Sequence, residues 1–86
     1  MKQVTRVLRA LANPRRLAIV SLLSMKGELP VVEVSKSISL SFKATSKHLL
    51  ILHAADVVEK RQDGLNVFYR LTNPPYPVVR TVLKTL

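Results

Sequence analysis

The chain has 86 residues, with 14 lysines and arginines against five aspartates and glutamates, a formal charge of +9, and no cysteine. That length holds one small domain, and the lack of cysteine excludes disulfides and thiolate metal sites. A core this small is marginal alone, so self-association is the expected source of further stability; the excess of cations would draw polyanions to the surface.

Val4, Val7, Leu8 and Leu11 fall at i, i+3, i+4 and i+7, which predicts a first helix over 1–12. Asn13-Pro14 breaks it and opens a second helix, from 15 to about 25, because Asn caps and Pro is preorganised for the first helical position. Gly27 ends that helix. Glu28-Leu29 reads as an extended link and Pro30 as the start of a third helix to about Ile38, with Val31, Val34 and Ile38 inward. Ser41 caps a fourth helix, from Phe42 to about Ala55, with Thr45, Leu49 and Leu52 inward and Lys43 and Lys47 outward. The period then changes. Residues 57–61 and 66–71 are β-prone, and Asp63-Gly64 between them signals a hairpin. The prolines of 72–77 exclude regular helix or central strand. Val79, Val82, Leu83 and Leu86 repeat the helical spacing in a final helix, 78–86, too short to persist unaided in water. The order is helix, helix, helix, helix, strand, strand, helix: a mainly α fold with a β-hairpin (α+β), in one domain over 1–86.

A short helix, a tight turn and a second helix opening on small polar and basic residues suit the DNA major groove. Here that unit is 30–55, and the hairpin over 57–71 stands where a wing would. Leu8-Arg9-Ala10-Leu11-Ala12-Asn13-Pro14-Arg15-Arg16-Leu17-Ala18-Ile19 resembles the entry segment of ArsR-like transcriptional regulators. Ser46-Lys47-His48-Leu49, followed by Leu52, resembles their recognition helix, and residues 61–71, ending Val67-Phe68-Tyr69-Arg70-Leu71, resemble their wing. The resemblance runs in order over nearly the whole chain. It implies a winged helix-turn-helix homodimer joined through its first and last helices, here Val4, Val7, Leu8, Leu11, Val79, Val82, Leu83 and Leu86. The same stripes could instead complete each monomer's own core.

Lys43 and Lys47, one turn apart, read as phosphate contacts, which supply affinity but little sequence information. In the same region Ser41 opens the helix, and Ser46 could bond a base or a phosphate. Phe42 or Ala44 could touch a thymine methyl, or Phe42 could pack beneath the turn. His48 matches a family position on or near the DNA face and could equally be a structural histidine. Lys60, Arg61 and Arg70 decorate the hairpin, within reach of a minor groove or the flanking backbone. Asp63 would repel phosphate, so it is expected to serve the turn. Arg15 and Arg16 could touch phosphate or pair with Glu28, Glu33 or Glu59.

Many relatives sense thiophilic metals through cysteines at the start of the third helix. Here Pro30 and Val32 hold those places, and neither can ligate. Another family site uses Asp, His and Glu of the final helix, and residues 74–86 contain none of these. No metal, cofactor or catalytic site is expected, and no Gly-rich phosphate loop suggests an enzyme. The expected function is sequence-specific regulation of transcription, by repression, with double-stranded DNA and a second copy as partners. Its effector is not named by the sequence. No apolar stretch approaches the ~20 residues needed to cross a bilayer, so the expected location is the cytoplasm, at the nucleoid. Two other readings stand beside it: a winged-helix module that docks proteins, and a nonspecific, chromatin-like DNA coat.

Overall fold

A computed structural model describes residues 2–86; Met1, expected from the sequence to begin the first helix, lies outside the described residues. The elements are α1 (Lys2–Leu11), α2 (Pro14–Lys26), β1 (Leu29–Pro30), α3 (Val31–Ser37), α4 (Phe42–Ala54), β2 (Val58–Asp63), β3 (Asn66–Leu71) and α5 (Pro77–Leu83).

Local chemistry sets most of the boundaries. Asn13 is extended, and its Oδ1 accepts from the backbone N–H groups of Arg15 at 2.9 Å and Arg16 at 3.1 Å. Those donors have no partner within the helix itself. Gly27, at φ +84°, closes α2 by donating its N–H to the Leu23 carbonyl. Ser41 Oγ accepts from the Ala44 N–H at 3.1 Å and opens α4.

The C-terminal ends of α3 and α4 share one device. After α3, Ser39 N–H donates to Lys36 O and Leu40 N–H reaches back to Ser35 O at 3.0 Å. After α4, Asp56 N–H donates to His53 O and Val57 N–H reaches back to Leu52 O at 2.9 Å. This is the paired closure that usually places glycine at the left-handed position. Here Ser39 (φ +55°) and Asp56 (φ +59°) occupy it. These two turns set the direction in which α4 leaves α3 and the chain enters β2.

The sheet is antiparallel in the order β1-β3-β2. A two-stranded hairpin was expected; Leu29 and Pro30 add a third strand by pairing with Tyr69 and Phe68. Pro30 therefore ends a strand instead of opening a helix, and α3 begins one residue later. An edge position tolerates its missing N–H. Within the hairpin, Asp63 pairs with Asn66, so the loop is Gly64-Leu65, and Gly64 carries the positive φ that a tight turn demands.

One hydrophobic cluster fills the centre, including Ile19, Val20, Leu23, Val34, Leu49, Leu52, Val57, Val58 and Tyr69. It also contains Val7, Leu11 and Val79, at 0%, 3% and 1% exposure. This corrects part of the expected subunit interface, because side chains covered within the monomer have no surface left for a partner. The stripe over 4–11 straddles the edge of the core: Val4 and Leu8 remain exposed. At the other end α5 stops at Leu83, leaving Leu86 beyond it and exposed, while Val82 and Leu83 are half-buried.

A non-glycine residue in the left-handed region is disfavoured by about 1–2 kcal/mol, while glycine costs about 0.5–1 kcal/mol more backbone entropy on folding. Ser39→Gly should therefore be net stabilising by about 0.5 kcal/mol and raise the melting temperature by a few degrees. Calorimetry that shows a lower Tm would contradict this account of the α3–α4 turn.

Candidate nucleic-acid interface

α4 is gripped from behind. Thr45, Leu49 and Leu52 lie at helical spacing, and each is wholly buried, as the helix packs on α1, α2, α3 and β2. The opposite face stays at the surface: Lys43 and Lys47 are exposed, Ala44 and Ser46 half-buried, and Phe42 is 59% exposed. Phe42 thus stands out from the helix start and does not pack under the turn. A groove of about 260 Å³ separates α4 from the hairpin, with Ser46, Lys60 and Asn66 as polar members and Phe42, Leu50 and Leu65 among its apolar ones.

Strand register sorts the cations of the hairpin. Glu59 lies opposite Arg70, and Arg61 opposite Phe68. Arg61 holds Glu28 in a fork, with Nη2 to Oε1 at 2.7 Å and Nε to Oε2 at 3.3 Å. It also reaches Asp63 Oδ2 at 3.5 Å, and its guanidinium lies 4.6 Å from the centroid of the Phe68 ring. The hydrogen bond from Arg61 is the main cause that holds the Glu28 carboxyl below its ordinary pKa. Arg70 Nε pairs with Glu59 Oε1 at 3.0 Å. Both arginines were expected at DNA; each is neutralised by a carboxylate of its own chain. Lys60, one residue along and on the other face of β2, makes no ion pair among the described residues.

Arg15 and Arg16 pair with none of the carboxylates expected for them, Glu28, Glu33 and Glu59. Arg16 donates from Nε to Ala10 O at 2.5 Å and from Nη2 to Arg9 O at 3.4 Å, so it satisfies carbonyls in the last turn of α1. Its Nη1 lies 3.3 Å from His48 Nδ1. Arg15 Nη1 donates to Ile38 O, at the end of α3, at 3.4 Å. A guanidinium has no acceptor. His48 Nδ1 must therefore accept, and the ring carries its proton on Nε2. Burial first, then the charges of Arg16 and Arg15, holds the His48 pKa below 6.5.

Two apolar members of the groove were not foreseen from the sequence. Leu65 is fully exposed at the hairpin loop, and Leu50 is 52% exposed on α4. Leu65 lies in the connection between the two strands, where no periodicity assigns a side chain to a face. The helical period of α4 places Leu50 with Lys43 and Lys47, at i+7 and i+3, on the face away from Leu49, so that period could have found it.

Residues 13–60, more than half of the chain, match the family model of the bacterial regulatory proteins of the arsR family. The chain belongs to the ArsR family. It is 40% identical over 67 residues to the transcriptional activator HlyU of Vibrio cholerae, a match that covers 78% of this chain and 61% of that protein. It is 34% identical over 70 residues to the biofilm growth-associated repressor of Xylella fastidiosa, covering 81% of this chain and 60% of the repressor. The chain thus spans about three fifths of these two relatives. Among solved structures, the homodimeric winged helix-turn-helix DNA-binding domain of a Mycobacterium bovis protein superposes with a TM-score of 0.85 at 33% identity, over 98% of this chain and 75% of that one. The fold of this ArsR-family chain is therefore a winged helix-turn-helix, with five helices and a three-stranded antiparallel sheet. No described helix is long and apolar enough to cross a membrane.

The Arg16–His48 contact has a pH signature. The folded state holds His48 at a lower pKa than the unfolded chain does, so protons bind the unfolded chain preferentially. This stability is present above about pH 6.5 and is lost as pH falls through the folded value. His48→Gln, whose amide oxygen can still accept from Arg16, should flatten that fall. Urea titrations between about pH 5 and 8 check it; an unchanged slope in the variant would place the titration elsewhere.

Proposed function

We propose that the protein is a homodimeric, sequence-specific DNA-binding regulator of transcription that represses by occupying its operator. The observation that carries this reading is the two-sided character of α4. Its rear is locked into the core through Thr45, Leu49 and Leu52, its front presents Lys43 and Lys47, and Lys60, without an ion pair among the described residues, lines the groove between this helix and the hairpin. In this reading 30–55 is the helix-turn-helix and 57–71 the wing of one domain. Ser41, Phe42, Ala44 and Ser46 meet base edges or backbone, Lys43, Lys47 and Lys60 meet phosphate, and neutral His48 offers its Nε2–H. Arg61 and Arg70 are secondary contacts, because each must first leave a carboxylate.

The subunits meet through Val4, Leu8 and Leu86, with the half-buried Val82 and Leu83. These apolar side chains remain at the surface of α1 and around α5, and the homodimeric Mycobacterium bovis domain supports the pairing. A two-fold pair would set its recognition helices about 34 Å apart, one turn of DNA. Repression is favoured because occupancy of a promoter alone accomplishes it, and one relative is named as a repressor. Thiophilic metals are not its signal, since Pro30 and Val32 have no ligating atom. Such a protein works at the nucleoid.

Selecting bound fragments from a random DNA pool tests the reading. It predicts a palindromic site, with affinity falling by about 10³–10⁵ between 50 and 200 mM salt for six to ten phosphate contacts across the dimer. Lys47→Ala should weaken binding to all sequences and reduce the salt slope by about one for each phosphate no longer neutralised. Lys60→Ala should do the same more strongly than Arg61→Ala, and Ser46→Ala should alter preference. Equal losses at Lys60 and Arg61 would show that the ion pairs open on DNA.

The exposed apolar side chains of Phe42, Leu50 and Leu65 favour a second reading, a groove that docks a protein. No gel shift with any duplex, together with capture of an acidic partner, would support it.

A further inference from the structure

A second cleft lies on the opposite flank of α4, between α1 and the C-terminal half of α4. Its volume is about 960 Å³, and Lys2, Arg6, Arg9 and Arg16 line it together with Ile51 and Ala54. Sites for small molecules occupy roughly 300–1,000 Å³. No carboxylate is among its lining residues. Lys2, Arg6 and Arg9 fall at i, i+4 and i+7 on one face of α1, where like charges destabilise a helix. They form no ion pair among the described residues. Beneath them the floor is apolar: Ile51 is 44% exposed, and the remaining floor side chains are alanines. A cationic rim over an apolar floor complements a molecule with an anionic head and a hydrocarbon body.

We propose that this cleft binds a carboxylate amphiphile, of which a medium-chain fatty acid is the simplest form, and that occupancy is passed to α4 through Arg16. The binding site stands on its own geometry; its effect on DNA rests on the reading of α4 given above. A duplex backbone is a poor fit, because phosphate gains nothing from Ile51, and Ala54 lies about 12 Å along the helix axis from Ser46, at 1.5 Å per residue. An acidic amphipathic helix is a poor fit too, since it needs a row of apolar anchor points, and Ile51 is the single large apolar side chain on the floor. The cleft lies roughly 150° around α1 from Val4 and Leu8, at about 100° per residue, so pairing of subunits through those two leaves it open.

Arg16 joins the cleft to the recognition helix. Its guanidinium now serves Ala10 O, Arg9 O and His48 Nδ1. A carboxylate in the cleft competes for the same donors with a charge-assisted, bidentate geometry. His48 then loses the donor on Nδ1, and α4 loses its side-chain hydrogen bond to Arg16 of α2.

The test titrates the full chain, without DNA, with decanoate below its micellar concentration, followed by calorimetry and by the ¹⁵N resonances of the His48 ring. Saturable binding at one site per chain is expected, with a His48 shift at saturation. The uncharged decanol should bind at least about tenfold more weakly, as should the double variant Arg6→Glu, Arg9→Glu. Both altered residues are exposed; should that variant fail to fold, Ala54→Glu, which sets a carboxylate in the cleft, should abolish binding. No saturable binding, equal binding of decanol, or full affinity in the charge-reversed cleft overturns the site. Tighter binding of a glutamate-rich peptide overturns it in favour of a protein partner. Saturation without a His48 shift overturns the relay. A chain that binds decanoate and no duplex keeps the site and refutes the DNA reading, so the two failures are distinct.

Discussion

Everything in this protein depends on the burial of one face of α4. Thr45, Leu49 and Leu52 are wholly covered, and the elements that pack on this helix come from both sides of it in sequence, α1, α2 and α3 before it and β2 after it. A helix of 13 residues is marginal alone. Its stability is tertiary, and so is its orientation. The face turned away from the core is exposed because the other face is held. The cost is visible at Thr45, whose hydroxyl is buried without a hydrogen-bond partner among the described residues. An unsatisfied buried hydroxyl is disfavoured by about 1–3 kcal/mol, yet its methyl group fits the core position.

Charge is distributed with the same economy. Only five acidic residues oppose 14 lysines and arginines, and three of the five are committed to arginines of the hairpin: Glu28 and Asp63 to Arg61, and Glu59 to Arg70. They pair these arginines within the chain, and Arg61 also lies over the Phe68 ring. Arg15 and Arg16 close the ends of α3 and α1 through backbone carbonyls. Among the cations left without such work are Lys43, Lys47 and Lys60 on one side and Lys2, Arg6 and Arg9 on the other. The molecule thus has two cationic faces with α4 between them, and Arg16 touches the rear of one and the helix that bears the other.

Local chemistry was legible in the sequence wherever a boundary depends on one residue. Asn13, Pro14, Gly27 and Ser41 each act where their side-chain or backbone chemistry predicts. The period of α4 separated Thr45, Leu49 and Leu52 from Lys43 and Lys47 correctly. What could not be read depends on distant partners. β1 is two residues long and exists only because β3 lies beside it. The Arg61–Glu28 pair spans 33 positions, so nothing near Arg61 signals it. The stripe of α1 mixes buried Val7 and Leu11 with exposed Val4 and Leu8, because four apolar residues at helical spacing cover a wider arc than the core can bury. Ser39 and Asp56 hide their left-handed backbone behind side chains that seldom adopt it.

The central claim is that α4 keeps one face for the core and the other for a duplex. Mapping backbone amide shifts of the labelled protein during titration with its selected operator tests this directly. The account predicts that the largest changes fall on residues 41–47 and on the hairpin around Lys60, with Leu49 and Leu52 nearly still. Changes concentrated on α1 and α5, with α4 unmoved, would contradict it.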